Sequence, residues 1–76
     1  LPMIQTGKID GGDSWYWIDF PREFGSSPVI SITPLGNISD SVDYMLEEVR
    51  EDGFSFNIYT NEGEVSEWHW IAIGQS

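Results

Sequence analysis

Apolar and polar residues alternate along this chain at a period of two, in short runs separated by glycine-, proline- and aspartate-rich breaks. That period marks extended strands with one buried face. The last run, Ser66-Glu67-Trp68-His69-Trp70-Ile71-Ala72-Ile73-Gly74, is the most apolar and aromatic. Trp68 and Trp70 share one face, and His69, Ile71 and Ile73 share the other. A strand apolar on both sides belongs in the middle of a sheet, or between a core and a partner chain. A domain this small has room for one core. One face of this strand is therefore expected to be covered by another copy of the chain.

The other runs read as follows. Residues 3–9 form a first strand, and Asp10-Gly11-Gly12-Asp13-Ser14 a turn whose glycines are free to take positive φ. Residues 15–20 form a second strand, with Tyr16, Ile18 and Phe20 on one face and Trp15, Trp17 and Asp19 on the other. The Asp19 face is expected to meet solvent or a partner. Pro21 ends that strand, and Phe24 packs back from the connection 21–27. Residues 28–34 form a β-branched third strand, followed by a polar loop at 35–42. Residues 44–50 carry helix-favouring Leu46, Glu47 and Glu48, but seven residues are too few for a stable helix. Alternation makes them a strand, with Tyr44, Leu46 and Glu48 on one face and Met45, Glu47 and Val49 on the other. In residues 53–59, Phe54, Phe56 and Ile58 point inward and Ser55, Asn57 and Tyr59 outward. Six short strands without a helix predict an all-β chain, an antiparallel sandwich or barrel. If neighbouring strands alternate in direction, the loops at 10–14, 35–42 and 60–65 meet at one end, where binding on a rigid sheet usually sits.

Composition sharpens this picture. Seventy-six residues make a single domain, 1–76, of marginal size. Cysteine is absent, which removes disulfides and thiolate metal sites. Oligomerisation remains as the stabilising device, and four tryptophans, four phenylalanines and three tyrosines supply the apolar surface for it. The chain opens at Leu1-Pro2 and is expected to be a piece of something longer. No apolar run approaches the ~20 residues of a membrane span. Thirteen carboxylates face only Lys8, Arg22 and Arg50, for a net charge of −10. Nucleic acid is excluded as a partner, since binding phosphates needs a basic patch. The acidity confers solubility, or else serves a site for a cation or polar ligand.

Several stretches, taken in order, resemble a known family. They are Ile4-Gln5-Thr6-Gly7-Lys8-Ile9-Asp10, Ile18-Asp19-Phe20, Phe20-Pro21-Arg22-Glu23-Phe24, Pro28-Val29-Ile30, Gly53-Phe54 and Trp70-Ile71-Ala72-Ile73-Gly74. The set resembles the H-type lectin domain and the related C-terminal domains of bacteriophage tail fibres, over nearly the whole chain. The Phe-Pro-x-x-Phe and Trp-Ile-Ala-Ile-Gly motifs lean towards the phage domains. The resemblance implies a six-stranded antiparallel β-sandwich, a parallel homotrimer, no enzymatic activity, and sugar binding in clefts between protomers at one end. In the lectins a Gly and an Asp after the first strand hold the sugar, and Gly12 and Asp13 match them most closely. The lectins' Arg near the start of the fourth strand has no counterpart, for Ser41 or Asp43 stands there. Their aromatic–His pair after the fifth strand falls on Asn61 and Glu62. N-acetylgalactosamine specificity is accordingly not expected.

The residues themselves give little chemistry of other kinds. His69 lies between two tryptophans in a strand, without a cysteine to activate, and is expected to be packed or at an interface; no enzyme is expected. The carboxylates lie in turns or on exposed faces, where burial does not tune them for glycoside hydrolysis. Asp10 and Asp13 are the candidate ligands of a divalent cation, although the loop is fully explained as a turn; no other cofactor is expected. Asn37-Ile38-Ser39 has the pattern of a glycosylation sequon. Trp15 beside Asp13, and Tyr59 beside Asn61, pair an aromatic face with hydrogen-bonding groups, as sugars require. The candidate ligand-binding residues are Gly12, Asp13, Trp15, Asp43, Tyr59, Asn61, Glu62 and Glu64. Trp17, Trp68, His69 and Ile71 are the candidate interface between copies. The expected role is the receptor-binding tip of a phage tail fibre, located in the virion, recognising a host-surface glycan. A secreted lectin and a ligand-free trimerisation cap are the alternatives.

Overall fold

The computed structural model describes residues 1–36 and 40–76. The sequon at Asn37-Ile38-Ser39 lies outside the described residues. The strands are β1 (Pro2–Ile9), β2 (Ser14–Asp19), β3 (Val29–Gly36), β4 (Val42–Val49), β5 (Gly53–Asn61) and β6 (Val65–Gln75), with no helix among the described residues. They form two three-stranded antiparallel sheets, ordered β1-β6-β3 and β2-β5-β4. The two most apolar strands, β5 and β6, are each central in their sheet, as strands with a burial demand on both sides should be.

Alternation delivers the inward side chains of both sheets to one core. Phe54, Phe56, Ile58, Trp68, Trp70 and Ala72 are at most 5% exposed. Trp68 packs edge-on against Tyr44 and Phe56, with ring centroids 4.7 and 5.3 Å away. Trp70 meets Phe54 and Phe20 at 5.4 and 5.7 Å. Expecting Trp68 at an interface between copies is therefore corrected. Its strand is central and its face looks at the opposite sheet, so Trp68 is sealed within its own protomer.

The motif residues have packing roles. Gln5 points inward from β1, and its amide both accepts from the Arg22 backbone N–H (2.9 Å) and donates to the Arg22 carbonyl (2.7 Å). That pair of bonds fixes the β2–β3 connection, so that Phe20 and Phe24 pack edge-to-face at 4.9 Å in the core. A side chain at Gly7 would place its Cβ 2.5 Å from the Trp70 indole, so only glycine lets Trp70 lie against β1.

In β4 simple alternation fails. A bulge between Leu46 and Glu48 opposes the Phe56–Ser55 step of β5. The extra residue shifts the phase. Tyr44 and Leu46 face the core, but Val49 packs there too and Glu48, which strict alternation puts on their face, does not. Glu48 stays exposed, where its charge is solvated.

Both ends of the molecule group as strand parity predicts. Phe20 and Phe24 donate backbone hydrogen bonds to Asp52 and Glu51, and Gly25 to Gln75, joining the β2–β3 connection, the β4–β5 turn and the end of β6. At the other end Gly63 donates to the Ser41 carbonyl at 3.1 Å, joining the β5–β6 turn to the start of β4.

Candidate functional site

The outward positions of β2, β5 and β4 form one continuous surface. The registers align Trp15 with Asn57 and Asn57 with Met45, in one row across three strands. Trp15 and Met45 are 55% and 54% exposed, and Tyr59, the next outward residue of β5, is 48% exposed. A second row runs from Trp17 through Ser55 to Glu48. Trp17 is held by its own chain. Its indole Nε1–H donates to Asp19 Oδ1 at 2.9 Å, and the Arg50 guanidinium sits 5.5 Å from its ring centroid. Arg50 Nε in turn donates to Glu48 Oε1 at 2.6 Å. Ser55 points outward as alternation requires, yet is buried, because Trp17 and Glu48 flank it.

This face is acidic. The bulge turns both Glu47 and Glu48 towards solvent, and Asp19 and Asp43 join them, against Arg50. The Tyr59 hydroxyl donates to Glu47 Oε2 at 3.2 Å. Its pKa is raised above the ordinary tyrosine value. Displacement of water by neighbouring side chains contributes most, then the Glu47 hydrogen bond and charge, and Asp43 adds to them. A phenol with a raised pKa favours the folded state below its ordinary pKa of about 10, and that contribution is lost as pH rises through the raised value. At neutral pH it is fully present and does not vary with pH. Glu47→Gln keeps an acceptor but removes the charge, so the Tyr59 titration should move down in pH. Ultraviolet titration of the phenolate measures this, and an unmoved curve would contradict the Glu47–Tyr59 contact.

The end loops contribute less uniformly. The Tyr16 hydroxyl donates to the Gly12 carbonyl at 2.7 Å and so pins the β1–β2 loop. Asp10 and Asp13 remain exposed. Among the described residues no three His, Asp or Glu side chains are grouped to hold a metal ion. Asp13 immediately precedes Ser14, the partner of Ile58, so this end of the loop lies level with Tyr59. Asn61 is a correction. Its amide accepts from the Val65 backbone N–H (2.8 Å) and donates to the Val65 carbonyl (3.0 Å), which uses it to close the β5–β6 turn. Glu62 and Glu64 are exposed in that turn, Glu64 with a left-handed backbone at φ 56°.

Trp15, Asp43 and Tyr59 therefore share one face, Gly12 and Asp13 border it, and Glu62 and Glu64 lie on the turn beyond. Asn57, Met45 and Glu47 complete the surface and were not singled out from sequence. Their outward parity was the available signal.

The outer face of β1-β6-β3 differs in character. Lys8 Nζ lies 3.9 Å from Glu67 Oε2, and His69 Nε2 3.4 Å from Glu67 Oε1. Lys8 and His69 border an open hollow of about 350 Å³, whose walls also include Thr6, Thr33 and Ile71. Beyond it Ile4, Ile73 and Val29 form an exposed row across all three strands.

Fold and surfaces thus define a two-sheet antiparallel sandwich with one acidic, aromatic face and one face that joins the Lys8–Glu67–His69 group to an exposed aliphatic row. Scans against protein-family models, curated proteins and solved structures found no match.

Proposed function

We propose that this chain is an H-type lectin-like, homotrimeric receptor-binding tip of a bacteriophage tail fibre that holds a host-surface glycan and catalyses no reaction. The observation that carries the glycan reading is the row Trp15–Asn57–Met45 with Tyr59 beside it, exposed on a rigid sheet and ringed by Asp43 and Glu47. Aromatic rings offer a flat apolar surface to the C–H face of a sugar. Carboxylates and an amide accept and donate hydrogen bonds to its hydroxyls. The ordered motifs support the family reading, because Gln5, Phe20, Phe24 and Trp70 hold the same corner of the fold together. An acidic face repels a polyanion within about a Debye length, ~8 Å at physiological salt. The ligand is therefore a neutral or amine-bearing glycan, unless a divalent cation bridges. Three weak sites on one axis gain avidity on a repetitive bacterial surface.

The test is an array of bacterial glycans probed with the purified chain, with and without calcium, at a concentration where its mass is recorded. Selective binding by a species of three chains to neutral or amino sugars is expected. Binding only to anionic polysaccharide, indifferent to chelator and salt, would overturn the ligand class. A folded trimer silent on every glycan would favour a structural cap at the fibre end.

A further inference from the structure

We infer that the outer face of β2-β5-β4 selects a sugar carrying a free, protonated amine, and that Glu47, Asp43 and Tyr59 set this preference. The inference rests on the glycan reading and narrows its ligand.

The pairing of β4 with β5 breaks twice, once on each strand. Asp43 opposes Thr60 and Tyr44 opposes Ile58, which leaves Tyr59 as an extra residue of β5. Leu46 opposes Phe56 and Glu48 opposes Ser55, which leaves Glu47 as an extra residue of β4. The insertions lie on opposite strands, so the second restores the register that the first shifts. Their net effect is to re-aim two side chains, as bulges beside binding sites do. Those two side chains meet, the Tyr59 hydroxyl donating to Glu47 Oε2 at 3.2 Å. Between the bulges lies the outward pair Met45–Asn57, which continues the row to Trp15. Tyr59 and Glu47 thus bracket the exposed aromatic row.

Charge and hydrogen-bonding capacity decide what fits there. Tyr59 spends its one proton on Glu47, so it meets a ligand as an acceptor and an aromatic face. Glu47 and Asp43 are exposed carboxylates, which only accept. Arg50 is committed to Glu48 and the Trp17 ring. Tyr59 itself senses the excess of negative charge. Its pKa is raised first by displaced water, then by the Glu47 bond and charge, then by the charge of Asp43. A ligand here must therefore donate. An ammonium group brings three donors and a positive charge, and the faces of Trp15 and Tyr59 attract it as well. Acetylation removes that charge and adds a carbonyl acceptor to a site already rich in acceptors. Exposed ion pairs and cation–π contacts are individually weak. Two such pairs and one aromatic contact together give on the order of tenfold in affinity.

The test adds paired probes to the glycan array. They are oligomers of glucosamine and of galactosamine with free amines, the same oligomers N-acetylated, and a lysine peptide carrying as many amines. The free-amine oligomers are expected to bind about tenfold more tightly than their N-acetylated twins at low salt, with the difference shrinking as salt is raised. Glu47→Gln and Asp43→Asn, each shown to be folded by circular dichroism, are expected to bring free-amine binding down towards that of the twin. Glu51→Gln removes the same charge in the β4–β5 turn and is expected to keep the full preference. Equal binding of both twins, or a best-bound array glycan without a free amine, overturns the inference while the glycan reading stands. So does a preference that survives both variants, or one that Glu51→Gln weakens as much. A lysine peptide bound as tightly as the oligomers would make the amine's source a protein and overturn the amino-sugar assignment. If no glycan binds at all, the glycan reading fails and the inference falls with it.

Discussion

Trp68→Ala is expected to destabilise the fold severely, by about 3–5 kcal/mol. Trp68 is fully buried and bridges the sheets through its ring contacts with Tyr44 and Phe56. Truncating a buried Trp to Ala typically costs about 3–5 kcal/mol, from lost burial plus the cavity left behind. A 76-residue chain has roughly 4–11 kcal/mol of stability in all, at the usual increment per residue. The substitution therefore removes between about a quarter and all of the stability. Trp68→Phe is the informative contrast. The Trp68 indole N–H is buried and finds no acceptor among the described residues. Phenylalanine discards that unsatisfied donor together with part of the ring, so its cost is smaller and the variant should remain folded. Urea titration at fixed protein concentration measures both. An alanine variant melting close to wild type would show that the two sheets are not held together at Trp68.

Trp15→Ala is expected to remove glycan binding while leaving fold and stability nearly unchanged. Trp15 is more than half exposed and contributes no buried contact to the core cluster. Losing an aromatic anchor at a binding hot spot costs at least about 2 kcal/mol, which is roughly thirtyfold in affinity per site. If three sites engage together, the loss on a glycan-bearing surface is larger than that of any single site. Binding to the array's best glycan, read alongside the thermal transition, separates the two effects. A variant that binds as well as wild type would shift the ligand surface away from the Trp15–Asn57–Met45 row. Reduced binding accompanied by lost structure would instead make Trp15 a folding residue.

The candidate site was legible to unequal degrees. Trp15 and Tyr59 stood out as aromatic residues at outward positions, and the structure places both on one face. Asn61 looked equally suitable beside Tyr59, but its amide closes the turn to Val65. A side-chain amide serves a turn or a ligand with the same chemistry, so residue type alone does not separate them. Glu47 and Glu48 seemed to belong to opposite faces. The β4 bulge puts both outward, and a one-residue insertion in pairing has no signature in a run of seven residues.

The chain's alternation by itself determined the six strands, the inward set of Phe54, Phe56 and Ile58, the shared face of Trp68 and Trp70, and the grouping of loops at two ends. These follow from the period of two and from strand direction, which are local properties. Only the tertiary structure decided that β6 lies between β1 and β3 and β5 between β2 and β4. Pairing joins residues far apart in the chain, and alternation says which side a residue faces but not which strand lies next to it. From that partition come the two unlike outer faces, with nearly all the carboxylates left off the face of Ile4, Ile73 and Val29.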